Sequence, residues 1–322
     1  MIVTMAVVTT LAMPPMLRWS LSRLPLDEEE QARLASEAFE AKGFLAHVER
    51  LLLAVDDGPN GRLALRLAGL IAGAGGITTT VLQLGSGSPV AAIRSAIRSI
   101  PASGLNEEGR RKVHVTLRAH ALPAESAVTR EVQKGYGLLV LGMEKTVAPQ
   151  GGFQEEVTRI AAMYEGPLAV VVARGSHLDC REQGALNILV PVRGNKVSRR
   201  AAEVALALAR TSSSPMTALY VLSTVGLGAA QHRLERPTST RRDEEAVLKD
   251  IVELAERYAR SIRTALRLAA APEDAILRQA RLGHYNLIVM GVGRPAGETL
   301  FFGKVAAAVL ENSDCSLLFV SS

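Results

Sequence analysis

Between Gly291 and Lys304 the chain reads GVGRPAGETLFFGK, directly after the apolar run Leu287-Ile288-Val289-Met290. Gly291, Gly293, Gly297 and Gly303 lack the Cβ that keeps a ligand away from the main chain. A glycine-spaced turn after a buried strand can therefore aim backbone N–H groups at a phosphate. Lys304 would add a point charge for the same anion. The stretch is not a Walker A loop. Five residues, not four, separate Gly297 from Gly303, and Val305 follows the lysine where a hydroxyl residue belongs. A second polar cluster, Asp56-Asp57-Gly58-Pro59-Asn60-Gly61, follows the apolar run RLLLAV. Its aspartates have the position of turn formers, and its glycines lack the dinucleotide-binding spacing.

Other chemistry is poorly represented. Cys180 and Cys315 cannot build a disulfide framework, and the six histidines show no zinc spacing, so no metal is expected. Cys315, at the entry to an apolar strand, reads as a small core residue. His284 reads as a loop histidine. No Ser/His/Asp or Cys/His group recurs at matching strand ends, so no catalytic residue is assigned and no enzyme is expected. The formal charge of +5 is spread over 37 scattered Lys and Arg, and only 4% of residues are aromatic. A nucleic-acid binder would gather its basic residues on one face and supply stacking rings.

The elements that must position these residues alternate along the chain. Short apolar runs at 50–55, 78–84, 112–120, 137–142 and 168–173 read as strands. The amphipathic stretches between them, at 61–75, 89–100, 124–135 and 153–164, read as helices. Buried runs of four to six residues separated by helices predict a doubly wound α/β fold with a parallel sheet. The plan then repeats: NILVPV (187–192) matches RLLLAV, MTALYVL (216–222) matches TTTVLQL, NLIVMG (286–291) matches GLLVLG, and SLLFVS (316–321) matches LAVVVA. The matched pairs Val55/Val192 and Gly142/Gly291 place the extra length of the second copy between its second and fourth strands. There AAQHRLERPTSTRRDEEAV reads as a long polar excursion. Two tandem domains follow, at 46–175 and 187–322, with a linker at 176–186. Their terminal apolar strands, 168–173 and 317–321, are expected to lie side by side, because each would otherwise leave an exposed edge.

A strand ending in Val-Asp, further βα units, an apolar-Met-Gly end to strand four, a glycine-spaced loop, a helix and a last apolar strand together resemble the universal stress protein family. The likeness covers roughly residues 46–322 as two copies. It implies five-stranded open sheets paired as an intramolecular pseudo-dimer, with a homodimer of the whole chain left open. ATP-binding members carry Gly, two residues, Gly, nine residues, then Gly-Ser/Thr after strand four, and an Asp at the end of strand one that holds the nucleoside. On that pattern the candidate nucleotide-binding residues are Asp56, Asp57, Gly291, Gly293, Gly303 and Lys304. Gly293 and Gly303 keep the nine-residue interval, but Gly291 lies one residue too close and Lys304 replaces the hydroxyl. Arg193 stands where the second copy should have its Asp. The first copy has Asp56 but places Gln154-Glu155 where Gly-Ser would be, and a carboxylate there repels phosphate. Each copy therefore has half of the equipment, and the expectation for ATP is weak or lost binding.

The first 17 residues, MIVTMAVVTTLAMPPML, carry no charge, and Arg18 and Arg23 follow. The order is the reverse of a signal peptide. Residues 1–22 read as an apolar helix forming the end of a membrane span, with the following chain in the cytoplasm, the alternative being a buried or disordered N-terminal stretch. Residues 23–45 read as a connector helix capped by Asp27 and stopped by Gly43. This order, followed by tandem stress-protein domains, resembles the C-terminal part of bacterial monovalent cation/proton antiporters. It implies a cytoplasmic regulatory module whose partner is the antiporter membrane domain or another regulator. The alternative is a free-standing ATP-binding stress protein.

Overall fold

The computed structural model describes residues 43–84, 115–120, 124–144, 146–148, 152–178, 184–223, 238–294 and 302–321. The expected apolar helix at 1–22, nearly all of the connector helix, the helix at 89–100 and Cys180 lie outside them. Residues 44–322 form one compact unit.

Runs of four to six apolar residues are too short for a stable helix and become strands buried on both faces. They are β1 (Arg50–Val55), β2 (Thr78–Leu84), β4 (Leu138–Gly142), β5 (Leu168–Val172), β6 (Ile188–Val192), β7 (Met216–Ser223), β9 (Leu287–Val292) and β10 (Ser316–Ser321). β3 (Val115–His120) and β8 (Arg263–Ala269) complete a single ten-stranded sheet of order β3-β2-β1-β4-β5-β10-β9-β6-β7-β8. Every pairing is parallel except the central one, in which Val170 faces Phe319 and β5 and β10 run antiparallel. The two terminal strands expected to lie together do so. Moving outward from that junction, the two halves repeat one strand order in opposite directions.

The described helices are α1 (Pro59–Gly75), α2 (Ala124–Val132), α3 (Glu155–Ala162), α4 (Lys196–Thr211), α5 (Thr238–Arg257), α6 (Pro272–Leu282) and α7 (Lys304–Asn312). α1, α4 and α5 cover one face of the sheet, and α2, α3, α6 and α7 the other, giving one hydrophobic cluster on each side. α1 and α4 pack against each other behind the junction. Gly73 of α1 meets the Thr211 methyl of α4, a Cβ at Gly73 lying 3.6 Å from it, and both helices carry many buried alanines. On the opposite face Phe153, Phe302 and Phe319 form an edge-packed trio, the Phe153 and Phe302 rings 5.0 Å apart. Phe153 comes from one half and the other two from the other.

Two elements of the second half were not assigned from the sequence. Part of the polar excursion is helical, because Thr238 onward forms α5. β8, unassigned in the sequence, is the third strand of the second half. It sits at the sheet edge with both faces largely exposed, so it never needed the apolar run by which the other strands were found.

The stretch between the halves is tied down by a histidine. Gly175–His177 forms a 3-10 turn, and Nδ1 of His177 lies 2.8 Å from Oγ of Ser316. Ser316 Oγ also accepts from the Arg174 N–H and donates to the Arg174 carbonyl. Its one proton is therefore used, and Nδ1 of His177 must be the donor. That leaves the buried Nε2 with no partner. Burial, and then the charge of Arg66, lower the His177 pKa to about 4. In the unfolded chain the imidazole titrates near 6.5, so between pH 6.5 and about 4 the unfolded state binds the extra proton. Stability contributed by neutral His177 is complete above pH 6.5, falls as pH drops through that window, and levels off below 4. The loss is at most about 3 kcal/mol. Chemical denaturation from pH 7.5 to 4 should show this slope, and His177→Gln should flatten it. An unchanged slope in the variant would assign the acid sensitivity elsewhere.

Candidate functional site

In an open α/β sheet a ligand crevice forms at the carboxyl ends of the strands, where the strand order reverses. Each half has such a point: between β1 and β4, and between β6 and β9. Because β5 and β10 are antiparallel, the two crevices open at opposite ends of the sheet, separated by the intervening strands. Asp56 and Asp57 therefore stand at one crevice, and Gly291, Gly293, Gly303 and Lys304 at the other. The structure does not bring the two sets together.

In the first crevice the polar groups satisfy each other. Asp56 follows β1; its Oδ1 accepts from the Gly58 N–H at 3.0 Å, and its Oδ2 from the Glu144 N–H. Burial raises the Asp56 pKa; the two N–H bonds oppose that, and the nearby Glu144 and Asp57 carboxylates add to it. The residue that holds this crevice shut is Asn60, in the first turn of α1. Its amide nitrogen donates to the Met143 carbonyl at 2.7 Å and the Thr146 hydroxyl at 3.3 Å, and its oxygen accepts from the Ala173 N–H at 2.7 Å. One buried side chain thus links the ends of β1, β4 and β5. The sequence reading placed Asn60 in a turn and missed this role. The signal was a polar side chain at the second position of a helix, one turn before the apolar Leu63 and Ala64. Asp57 and Glu144 are exposed beside it, and Glu155 and Glu156 begin α3. The crevice is acidic, and an anion there meets like charge.

The second crevice has the same backbone and different side chains. Asn195 caps α4 by accepting from the Ser198 N–H at 2.9 Å, and the Ser198 hydroxyl accepts from the Arg193 N–H at 3.2 Å. Arg193, the counterpart of Asp56, is exposed, and its side chain has no partner among the described residues. Gly291 ends the buried run of β9, and a Cβ there would lie 2.3 Å from the Val197 carbonyl oxygen in α4. Gly142 has the same relation to the Asn60 carbonyl oxygen, at 2.7 Å. In both halves this glycine admits the first turn of a helix against the fourth strand, so Gly291 is required by packing whether or not a ligand is held. Around Gly293 no described residue lies within 4 Å of where a Cβ would be. Gly303, the N-cap of α7, has φ 90° and ψ 162°, a conformation essentially confined to glycine. Lys304 starts α7, exposed and without a partner among the described residues. In the first half the α3 N-cap is Gln154, with φ −62°, so the glycine-dependent turn belongs to the second half alone. Among the described residues no group of His, Cys, Asp and Glu could hold a metal. Cys315 is buried, with its thiol donating to the Tyr285 carbonyl at 2.8 Å.

An open sheet wound on both faces, with crevices at the strand ends and a glycine-dependent helix start in one of them, defines a doubly wound α/β protein. The chain belongs to the universal stress protein family. The model of that family matches residues 185–321. Universal stress protein MJ0531 of Methanocaldococcus jannaschii is 31% identical over 138 residues, which is 41% of this chain and 80% of that protein. Among solved structures, a functionally unknown protein of Pseudomonas aeruginosa is similar over 86% of this chain and 94% of its own, at 17% identity and a TM-score of 0.53. A universal stress protein of Archaeoglobus fulgidus is similar over 85% and 98%, at 14% identity and a TM-score of 0.50. These two likenesses concern the fold. Among the described residues no helix is long and apolar enough to cross a membrane.

The two glycines of the second crevice separate under mutation. Gly291→Ala drives a Cβ into the α4 backbone and should cost about 3 kcal/mol or more, whereas Gly293→Ala should change stability by less than about 0.5 kcal/mol. Urea denaturation followed by circular dichroism measures both. Equal effects would contradict the packing role given to Gly291.

Proposed function

We propose that the chain is a non-enzymatic regulatory module made of two tandem universal stress protein units, with weak affinity for adenine nucleotide in the second unit. The observation that carries this reading is the contrast between the crevices. Asp56 commits its carboxylate to backbone N–H groups beside four further acids, while Arg193 and Lys304, both exposed and without a partner among the described residues, stand with Gly293 and Gly303 at a helix start in the second crevice. Such a helix start suits phosphate. With Arg193 in the place of an aspartate, one nucleoside contact is missing, worth about 1 kcal/mol. Affinity should then be on the order of tens of micromolar or weaker and should come from the phosphates.

Calorimetry with ATP, ADP and adenosine tests this. ATP should bind more tightly than ADP, and adenosine not measurably. Lys304→Ala and Gly293→Val should each weaken ATP at least fivefold. Tight adenosine binding, or indifference to both substitutions, would overturn the site. ATP turnover by the purified chain would overturn the non-enzymatic reading.

The setting we favour is regulation of a cation/proton antiporter at the cytoplasmic side of a membrane. It is supported by the sequence order of apolar segment, acidic connector and stress-protein units. The full chain should then co-sediment with phospholipid vesicles, and Val7→Asp with Val8→Asp should leave it in the supernatant. A chain that stays in solution without any substitution would favour the free-standing stress protein.

A further inference from the structure

The outer edge of the second half has features that neither crevice uses. β8 pairs with β7 alone, so among the described residues its other edge is free. Beside it, β8 and α6 enclose a groove of about 290 Å³ whose lining includes Arg267, Asp274, Arg278, Gln279 and Leu282. Leu268 is 53% exposed and Leu282 70% exposed, unusual for leucines in a protein with so large a core. Arg278 has no hydrogen bond or ion pair with any described residue, and Arg263, at the start of β8, has none either.

The residues of β8 alternate. Arg267 faces α6, where its Nε donates to the Gln279 side chain at 3.0 Å, and Ala265 packs in the cluster on that face. By the two-residue period of a strand, Arg263 shares this face, while Leu266 and Leu268 point to the other. The free edge thus offers guanidinium groups above and leucines below. Asp274 is the one acid lining the groove.

We propose that this edge docks an extended peptide whose side chains alternate acidic and apolar, added to the sheet as a further strand along β8. The main-chain N–H and C=O groups of β8 supply the ladder. Carboxylates on one face of the peptide pair with Arg263, Arg267 and Arg278, and the apolar residues on its other face lie beside Leu266 and Leu268. The simpler role for charge on an edge strand is to keep other strands away. That role predicts no binding of any strand, whatever its charge.

Fluorescence anisotropy of the full chain with the labelled heptapeptide Glu-Val-Glu-Val-Glu-Val-Glu distinguishes the two. Binding should be saturable, should weaken with added salt, and should be at least tenfold tighter than for Lys-Val-Lys-Val-Lys-Val-Lys or for the acidic peptide with its central Val replaced by Pro. Arg278→Glu and Leu268→Asp alter exposed side chains and should leave the melting temperature nearly unchanged. Each should weaken the acidic peptide at least tenfold, on opposite faces of the strand. Equal binding of both peptides, indifference to both substitutions, or no binding would overturn the proposal. So would concentration-dependent dimerisation abolished by Leu268→Asp, since the edge would then belong to a second copy of the chain. None of these residues belongs to the candidate nucleotide crevice, so failure here leaves that reading untouched.

Discussion

The antiparallel pairing of β5 with β10 is the constraint on which the rest of the molecule depends. β5 is apolar over five residues and β10 over the four between Ser316 and Ser321, and both are buried on both faces, so neither can stand at an edge. Pairing them removes two hazardous edges at once and puts Phe319 against the other half's Phe153. Other contacts across the junction then become affordable for the chain. Arg174 donates to the Ser313 and Leu310 carbonyls at the end of α7, and Arg210 of α4 donates to the Ala74 carbonyl in the last turn of α1. A guanidinium at a helix C-terminus meets unpaired carbonyls and the negative end of the helix dipole. Even the entry segment is fixed from the other half: Glu203 of α4 accepts the Phe44 and Leu45 N–H groups and the Tyr258 hydroxyl.

The same pairing decides where chemistry can occur. An antiparallel centre sends the carboxyl ends of the two parallel halves in opposite directions. No ligand of nucleotide size can touch Asp56 and Lys304 together. The two sets cannot complement each other across the junction, and each crevice stands on its own residues. In the first, Asn60, Thr146 and the Asp56 carboxylate bond to neighbouring protein groups, so these polar groups are satisfied within the protein. The second has its helix start capped by Asn195, while α7 begins at Gly303 with no side-chain cap.

Most of the fold was legible because burial on both faces leaves a plain mark: RLLLAV, LAVVV and SLLFVS are strands at or near the bounds read from sequence. What escaped was whatever burial does not mark. β8 is exposed, and α5 follows a polar stretch that reads as loop. At the site, sequence located the glycines but not their jobs. Gly291 and Gly293 are two residues apart and alike in sequence. Only the position of the Val197 carbonyl, brought there by α4, shows that one is needed for packing, while no described residue crowds the other. Asp56 shows the same limit, since its use by the Gly58 and Glu144 N–H groups depends on residue 144, far along the chain.

Gly303 is the one feature that packing does not explain. No described residue lies within 4 Å of where its Cβ would be, so packing among the described residues does not require a glycine. Its backbone nonetheless occupies φ 90°, and residues other than glycine adopt such a conformation only at a cost of about 1–3 kcal/mol. The first half starts its corresponding helix at Gln154 with φ −62°, which proves that this architecture can begin that helix without a strained turn. The unusual backbone is therefore not imposed by the fold. It lies at the start of α7 beside the exposed Lys304, and the positive end of a helix next to a lysine is the physical ground for seeking phosphate there rather than at the intact aspartate.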